Sequence, residues 1–535
     1  MARTRPRPRP NFTLTLKPVL TRCPECGQRL AYDYANYRTV TTLDTVTRLT
    51  LHIHRCPEPT CARYHRPYRP ETEPHYALPH HEFGLDVIAL VGRLRYAEHR
   101  SVPEIHQELS RRGVVLAQRT VTNLLDRYDE LRALATADPR RLRQLLKEQQ
   151  RVILAIDGLQ PDVGHEVLWV FRDCLSGEVL LAKSLLSATT ADLALLLREV
   201  RAALPVPITA VLSDGQRTIR QAVARELPGV PHQLCHFHYL REAARPIYEA
   251  DRHAKKELKK RVRGVRPIER SVAESEDVEG EIVRGYCAAV RAALTDDGRP
   301  PLAAPGLLLH QRLQAITASL DRVAERVATL PAGLQKLRQL LQRGLEETAA
   351  MWTPVCLAYR WVREVADLLA NRTKRSAAQV RRRLTRLLRR LRQAAERTDV
   401  ESLRQQLQHF LKVTRSYLAG LFHCYRSADL PRTNNDLEHL FGSHRYHERR
   451  ASGRKGASPG LVVAGSVRLV AGLATRLRPE EGLKLSWGYV PNWQAIRARV
   501  SKRREARRQQ RRFRRAPGDY LQSLEVMADK LSLPA

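Results

Sequence analysis

Acidic residues and cysteines are both scarce in this 535-residue chain. Asp and Glu number 56 against 92 Lys and Arg, so the formal net charge is +36. Positive charges in such excess repel one another and destabilise the folded chain unless a polyanion neutralises them. Because the basic residues are spread along the whole chain, the charge favours nucleic acid over a membrane surface as the partner.

Nine cysteines are too few to build a disulfide scaffold of this length. Long apolar runs are lacking as well. The amino terminus reads MARTRPRPRP with no apolar segment behind it, and the run from Gly460 to Leu477 is interrupted by Arg468 and Arg476, so we expect neither a secretory signal nor a membrane span. Hydrophobic residues still make up 43% of the chain, which excludes wholesale disorder and predicts a soluble protein of a reducing compartment.

Residues 1–20 read as a basic, proline-rich arm. Arg3, Arg5, Arg7 and Arg9 alternate with Thr or Pro, which is typical of extended, polyproline-like backbone. Such an arm could lie in a DNA minor groove or along phosphates. A disordered basic tail is the alternative.

Two cysteine pairs within residues 21–75 have the spacing of a zinc-binding ribbon. The cysteines are Cys23, Cys26, Cys56 and Cys61. Gly27 permits a tight turn after the first pair, and strand-like sequence between the pairs would bring four thiolates around one structural Zn²⁺. The second pair is looser, so His54 or His65 could replace one of its cysteines. Four reduced cysteines in a small core are the other alternative.

Residues 82–135 read as three helices in the order of a helix-turn-helix domain. The first spans 84–97, the second begins at Ser101 with Glu104 as its capping-box partner, and Gly113 precedes a polar, basic third helix. A plain three-helix bundle is the alternative. The residues expected to contact DNA from the third helix are Arg119, Thr120, Thr122, Asn123 and Arg127.

From residue 151 the pattern changes to that of buried strands. The predicted elements are strands at 152–156, 166–172 and 178–184, a helix at 192–204, and a strand at 208–212. The helix would be a right-handed crossover that returns the last strand parallel to the first and beside it. Asp157 and Asp214, each followed by glycine, would then share one edge of the sheet. Two carboxylates this close repel unless a cation lies between them, which predicts a two-metal site for displacement at phosphorus.

Glu438 is the candidate third acid, one turn into a helix that the polar run Thr433-Asn434-Asn435 would cap. Arg445 follows seven residues later on the same face, where it could hold a phosphate. An Asp-Gly pair after a strand is also an ordinary turn. The nearby acids that could take the place of these choices are Asp162, Glu166 and Asp173.

Residues 241–430 are helical and rich in Arg and Leu, which predicts an all-α insertion. Trp352 and Trp361 are expected in its core, with stacking on a flipped base as the alternative. After a helix at 434–446 we expect a polybasic loop, and a basic tail over 481–535 carries eleven Arg or Lys between 497 and 515. The candidate DNA contacts in the loop are Arg449, Arg450, Arg454 and Lys455.

Together these motifs resemble the DDE transposases, RNase H-like enzymes that cut and join transposon ends. The resemblance rests on Ala155-Ile156-Asp157-Gly158, Leu212-Ser213-Asp214-Gly215, Thr433-Asn434-Asn435-Asp436-Leu437-Glu438 and the arginine seven residues later. Cys235-His236-Phe237-His238 is similar to the Cys-x2-His element of Mutator-like groups. Those groups carry an all-α insertion between the second Asp and the Glu, and here that gap is 438 − 214 = 224 residues. The order of zinc module, helix-turn-helix and core also resembles bacterial insertion-sequence transposases.

The resemblance implies a multidomain α/β plus α fold, with an RNase H-like core over 151–240 and 431–480 interrupted by the insertion. It implies that Asp157, Asp214 and Glu438 hold two Mg²⁺ (or Mn²⁺) ions. His238 would contact the scissile or flanking phosphate, or else be a buried histidine bonded to backbone. The implied partners are double-stranded DNA, as terminal inverted repeats and as target, and further copies of the chain in a homodimer or higher oligomer. The implied location is the bacterial cytoplasm, at the nucleoid.

The expected function is therefore DNA transposition by strand cleavage and transfer of the 3′-hydroxyl. Two alternatives stay open. One is a nuclease of the same fold that cuts without joining. The other is a non-enzymatic DNA-binding regulator that uses only the zinc module and the helix-turn-helix.

Overall fold

The computed structural model describes residues 8–160, 166–396, 402–454, 459–477, 485 and 490–529. It comprises two compact units. Unit 1 contains Met1–Val152, Ile156–Pro207 and Asp436–Ala535, and unit 2 contains Ile153–Ala155 and Ile208–Asn435. The residues of the sequence predictions that lie outside the described ranges are Arg3, Arg5, Arg7, Asp162 and Lys455.

The strands form two sheets. They are β1 (Phe12–Leu16), β2 (Ala31–Thr41), β3 (Val46–Arg55), β4 (Val152–Leu159), β5 (Val167–Asp173), β6 (Val179–Leu185), β7 (Ile208–Ser213) and β8 (His232–Leu234). The first sheet has the order β1-β3-β2, with β1 parallel and β2 antiparallel to β3. The second has the order β6-β5-β4-β7-β8, in which β5 and β6 are antiparallel and β7 and β8 are parallel. The strands predicted from residue 151 onward are all present.

Helices make up most of the remaining described chain. The helices that precede β8 in the chain are α1 (Leu85–Tyr96), α2 (Val102–Arg111), α3 (Gln118–Thr136), α4 (Pro139–Gln149), α5 (Thr190–Ala203) and α6 (Arg217–Glu226). Those of the predicted insertion are α7 (His236–Ala243), α8 (Arg245–Arg261), α9 (Val265–Ser271), α10 (Val278–Thr295), α11 (Pro305–Arg326), α12 (Ala332–Ala370), α13 (Ala377–Ala395) and α14 (Arg404–Tyr417). The last are α15 (Asn435–Ser452), α16 (Pro459–Ala464), α17 (Ser466–Leu477), α18 (Val490–Arg515) and α19 (Pro517–Asp529).

Local sequence explains where several helices begin and end. The Ser101 hydroxyl accepts the Glu104 N–H and the Glu104 carboxylate accepts the Ser101 N–H, so the predicted capping box is confirmed at the start of α2. Gly113 ends that helix with a φ of +77°. Helix α4 was not predicted, although its sequence carries an N-cap aspartate, Asp138, followed by Pro139 at the first helical position.

In unit 1, the three helices predicted as a helix-turn-helix pack against the end of the chain. Helices α17 and α18 both contact α3. Trp493, Ile496 and Val500 on α18 are buried, so the start of this helix, within the predicted basic tail, packs in a core. Arg503 and Arg504 of the same helix pair with Glu166 and Asp126.

In unit 2, the described residues of the predicted insertion form helices joined by loops, with no strand among them, as predicted. Leucine and valine stripes of α8, α10, α11, α12, α13 and α14 form one continuous core. Trp352 is buried, stacks on His310 at a centroid distance of 4.6 Å and donates from Nε1 to the Thr348 hydroxyl at 3.1 Å. Trp361 packs half-buried against the same core. Both tryptophans are therefore core residues, as expected.

None of the described helices combines the length and the apolar composition needed to cross a bilayer.

Candidate active site and zinc centre

The four predicted cysteines meet in unit 1. Their sulfur atoms all lie within 4.8 Å of one another, with Cys23 Sγ 3.8 Å from Cys61 Sγ and Cys26 Sγ 3.4 Å from Cys56 Sγ. A tetrahedral zinc with Zn–S bonds of about 2.3 Å separates its sulfurs by about 3.8 Å. The group therefore fits one structural Zn²⁺.

The backbone around this cysteine group explains how the pairs converge. Gly27 has a φ of +72°, and its N–H donates to the Cys23 carbonyl at 2.9 Å. Cys56 follows β3 directly, so the sheet fixes the second pair relative to the first. Neither His54 nor His65 belongs to the ligand group, so the sequence alternative of a histidine ligand is not supported.

The thiol pKa values show why a metal is favourable here. A hydrogen bond between the Tyr68 hydroxyl and Cys23 Sγ, at 3.3 Å, is the main cause that lowers the pKa of Cys23 to about 6. Burial raises the pKa of Cys56 to about 12. A cation among the sulfurs would stabilise the thiolate of Cys56 against this burial, because a coordinating thiol is deprotonated.

Asp157 lies inside β4, since the strand continues through Gly158 to Leu159. The alternative of an ordinary Asp-Gly turn is therefore wrong at this position. Asp157 is 9% exposed, and its Oδ1 accepts the Gly158 N–H at 2.8 Å. A carboxylate at this depth in an apolar strand is costly to keep charged unless donors or a cation compensate it.

Asp214 directly follows β7 and begins the turn into α6. Its Oδ1 accepts the Gln216 N–H at 2.9 Å, and its backbone carbonyl accepts the Tyr417 hydroxyl at 2.9 Å. Gly215 has a φ of +85°, and a Cβ there would lie 2.7 Å from the Tyr417 ring. The Arg220 guanidinium lies 4.4 Å over that ring and donates from Nε to the Gly215 carbonyl at 2.6 Å. These contacts fix the turn that carries Asp214.

Tyr417 and Arg220 were not predicted from the sequence. Arg220 looks like any basic residue on the exposed side of an amphipathic helix, and Tyr417 lies 203 positions from Asp214. Residues that position a site from this distance along the chain leave no local pattern. The one local feature that pointed to the turn is Gly215.

Glu438 is half-buried in the first turn of α15. The chain that leads into this helix is fixed at the end of β8, in unit 2. The Asn434 N–H donates to Cys235 Sγ at 3.3 Å, and the His236 N–H donates to the Arg432 carbonyl at 3.0 Å. Cys235 is fully buried, as a free cysteine that packs like a small hydrophobic residue usually is.

The described acids that could replace Asp157, Asp214 or Glu438 as metal ligands have structural partners instead. Glu166 forms an ion pair with Arg503 at 2.6 Å. Asp173 is fully buried at the end of β5, where Oδ2 accepts hydrogen bonds from the Ser176 hydroxyl at 2.6 Å and from Gln149 Nε2 at 2.8 Å. It closes the turn between β5 and β6.

The three candidate acids are divided between the two units. Among the described residues, the four cysteines are the only group of three or more Cys, His, Asp or Glu whose ligand atoms all lie within 4.8 Å of one another. Asp157 and Glu438 belong to unit 1 and Asp214 belongs to unit 2. Their joint role therefore stays a prediction.

His238 lies half-buried in the first turn of α7. The alternative role, that of a buried histidine bonded to backbone, is instead filled by its neighbour His236. This residue is buried, and its Nε2 lies 2.8 Å from the Leu421 carbonyl. Burial lowers the pKa of His236 to about 4, so this ring is neutral at pH 7. The phosphate-contacting role of His238 remains a prediction.

Arg127 was expected to contact DNA, and the structure contradicts this. It is 4% exposed, its Nη2 lies 2.8 Å from Glu130 Oε1, and its guanidinium lies 5.6 Å from the Trp493 ring centroid. The reason is that α3 is long and its second half packs against the C-terminal helices. The other predicted contacts lie in the first two turns, where Arg119 and Asn123 are exposed and Thr120 and Thr122 are half-buried.

The polybasic loop begins later than predicted. Helix α15 continues through Arg449 and Arg450 to Ser452 and ends at Gly453, which has a φ of +69°. The described arginines at this end of α15 are all exposed, and Arg450 Nη2 also lies 3.6 Å from Glu104 Oε1. The candidate phosphate contacts retained here are Arg445, Arg449, Arg450 and Arg454.

No protein-family model matches this chain, and no curated protein matches it either. Its resemblance to the DDE transposases therefore depends on the motif residues themselves. Of these, the two aspartates and Glu438 are the residues expected to carry the chemistry.

Proposed function

We propose that the protein is a DDE-type DNA transposase, which binds the ends of a mobile DNA element, cleaves a strand and joins the freed 3′-hydroxyl to target DNA. The observation that carries the proposal is the placement of two acids on neighbouring strands. Asp157 lies near the end of β4, Asp214 directly follows β7, and β4 is next to β7 in the sheet order. β5 and β6 are antiparallel, and the seven residues between β4 and β5 are too few for a parallel crossover, so β6 should run in the direction of β4. The α5 crossover would then return β7 in that same direction. Both carboxylates then belong to one edge of an RNase H-like sheet.

Chain continuity supports Glu438 as the third acid. Asn434 is held at the end of β8, the strand beside β7. Glu438 follows four residues later, which is about 6 Å along a helix. The rival acids Glu166 and Asp173 already serve an ion pair and a turn.

The donor types suit hard divalent ions, since carboxylate oxygens are the ligands that Mg²⁺ and Mn²⁺ take. Asp157, Asp214 and Glu438 would hold two such ions, which when bound activate the attacking oxygen and stabilise the leaving oxygen. The contribution of the chain itself is positioning. Tyr417 and Arg220 hold the Asp214 turn. The cysteine group would hold one Zn²⁺ that stabilises the N-terminal sheet and takes no part in the chemistry.

The net charge of +36 supports double-stranded DNA as the partner, both as element ends and as target. The exposed basic residues at the start of α3 and the end of α15 are the candidate contacts. Two element ends must be handled together, so we propose a homodimer or a higher oligomer that acts in the cytoplasm, on the nucleoid.

The test compares cleavage of an element-end duplex in Mg²⁺ by the wild type and by Asp157→Asn, Asp214→Asn and Glu438→Gln. Each variant should lose cleavage by at least a thousandfold and keep DNA affinity within about threefold, because its proposed task is metal ligation. Glu166→Gln is the control, since it removes a carboxylate of unit 1 that pairs with Arg503, and it should cleave normally. A triad variant that retains near-normal cleavage would show that its residue is wrongly assigned.

A further inference from the structure

Helix α13 in unit 2 presents an exposed surface of one charge. Its 19 residues contain seven arginines and no Asp or Glu. All seven arginines are exposed, while Val380, Leu384, Leu387 and Leu391 are buried in the insertion core. We call this surface the α13 arginine face. Its members are Arg381, Arg382, Arg383, Arg386, Arg389, Arg390 and Arg392.

Little within the described chain neutralises the α13 arginine face. Among the described residues, one ion pair involves it, between Arg390 and Glu364 at 3.1 Å, and both side chains are largely exposed. Arg382, Arg386 and Arg389 are spaced four and three residues apart, so they lie along one stripe where like charges repel. Some exposed arginines elsewhere in unit 2 do have acidic partners, such as Arg291 with Glu269 at 2.9 Å.

The burial of the opposite side of α13 decides which polyanion fits. A helix that lies on a membrane inserts its apolar side among the lipids. Here that side is occupied by the core of unit 2, so only the arginines are available. Guanidinium groups bind phosphates bidentately, and from Arg381 to Arg392 the helix spans about 16 Å, along which a duplex carries several phosphates.

We propose that the α13 arginine face binds the sugar-phosphate backbone of duplex DNA, as a sequence-independent surface separate from the base-reading start of α3. The proposal rests on the proposed function only in taking DNA as the partner. It adds that the insertion itself binds DNA and is more than a connection between the two predicted core segments. The contacts involve phosphates alone, so they contribute equally to element-end and unrelated DNA.

The test measures the affinity of the full-length protein for a 30-base-pair duplex by fluorescence anisotropy, from low to high salt. The variant Arg382→Gln/Arg386→Gln/Arg389→Gln should lower the slope of log affinity against log salt by about two to three, because each lost phosphate contact removes about 0.9. The loss should be the same for element-end and random sequences. The matched control Arg291→Gln/Arg338→Gln/Arg343→Gln removes the same charge from unit 2 at paired positions and should leave the slope unchanged.

Three outcomes would overturn the proposal. One is an unchanged slope in a variant whose circular dichroism shows intact helix content. Another is an equal loss in the control, which would indicate a general charge effect. The third is a duplex RNA that binds more tightly than the DNA and loses the same slope, which would assign the face to RNA. A wild type that binds DNA but never cleaves it would refute the proposed function. The salt dependence of DNA affinity would still decide whether the α13 arginine face binds DNA.

Discussion

Arg468→Met should strongly destabilise unit 1. The guanidinium of Arg468 in α17 lies 3.0 Å from Asp129 Oδ2 in α3, and the Tyr96 hydroxyl donates to Asp129 Oδ1 at 2.5 Å. Asp129 is 1% exposed. Removing its cation leaves a buried carboxylate with one neutral donor, and breaking a buried pair in this way costs about 3–5 kcal/mol.

The pH dependence of this loss identifies its cause. Burial raises the pKa of Asp129 to about 6 although Arg468 opposes the rise, so without Arg468 the pKa must rise further. An acid whose pKa is higher in the folded state than in the unfolded state favours folding below the unfolded pKa. That contribution is lost as pH rises through the folded value. The deficit of Arg468→Met should therefore grow from pH 5 to pH 8.

The assay is amide hydrogen exchange of α3 in the wild type and the variant, which reports the local free energy of opening. Asp129→Asn in the Arg468→Met background should recover most of the loss, because the amide needs no cation. Arg343→Met is the control, since Arg343 pairs with Glu347 at the surface and should change stability by less than about 1 kcal/mol. A deficit below about 1 kcal/mol, or one independent of pH, would refute the reasoning.

Three further predictions follow from the contacts described above. The full-length protein should carry one zinc per chain, and Cys26→Ala should lose it, as measured by elemental analysis; a metal-free wild type would exclude the zinc centre. Burial lowers the pKa of His444 to about 4 and that of His447 to about 2, so their contribution to stability is complete above about pH 6.5 and is lost as pH falls toward 4. Melting temperatures should drop over that interval, and less steeply in His444→Gln, where equal slopes would contradict the prediction. Tyr417→Phe removes the hydrogen bond to the Asp214 carbonyl, so single-turnover cleavage should slow about tenfold with unchanged DNA affinity, and an unaltered rate would deny Tyr417 a positioning role.

Features set by neighbouring residues could be predicted from the sequence. The cysteine spacing with Gly27, the Ser101–Glu104 capping box and the strands on either side of α5 all follow from chemistry within a few positions. Asp157 and Asp214 were found in the same way, because each follows an apolar run. What could not be derived is whether the acids meet in one site.

Contacts between distant segments could not be predicted. Trp493 Nε1 donates to Glu130 Oε2 at 2.6 Å across 363 positions, and no periodicity in either segment indicates it. Arg127 therefore resembled a base-reading residue, although its charge is satisfied by Glu130 inside the protein. The basic composition of 497–515 indicated a tail for a similar reason, since one buried apolar residue, Val500, among many arginines hardly alters the average polarity.

The most direct measurement of the central claim is strand transfer of a labelled DNA end. A duplex that carries the inverted repeat beside the reading frame is labelled on its transferred strand and incubated with the protein, Mg²⁺ and a target plasmid. The account predicts that the label becomes covalently joined to the plasmid, and that Asp157→Asn abolishes the joined product while still binding the duplex. A shortened labelled strand without a joined product would indicate a nuclease. Specific binding with no metal-dependent product at all would contradict the proposed enzyme and favour a DNA-binding regulator.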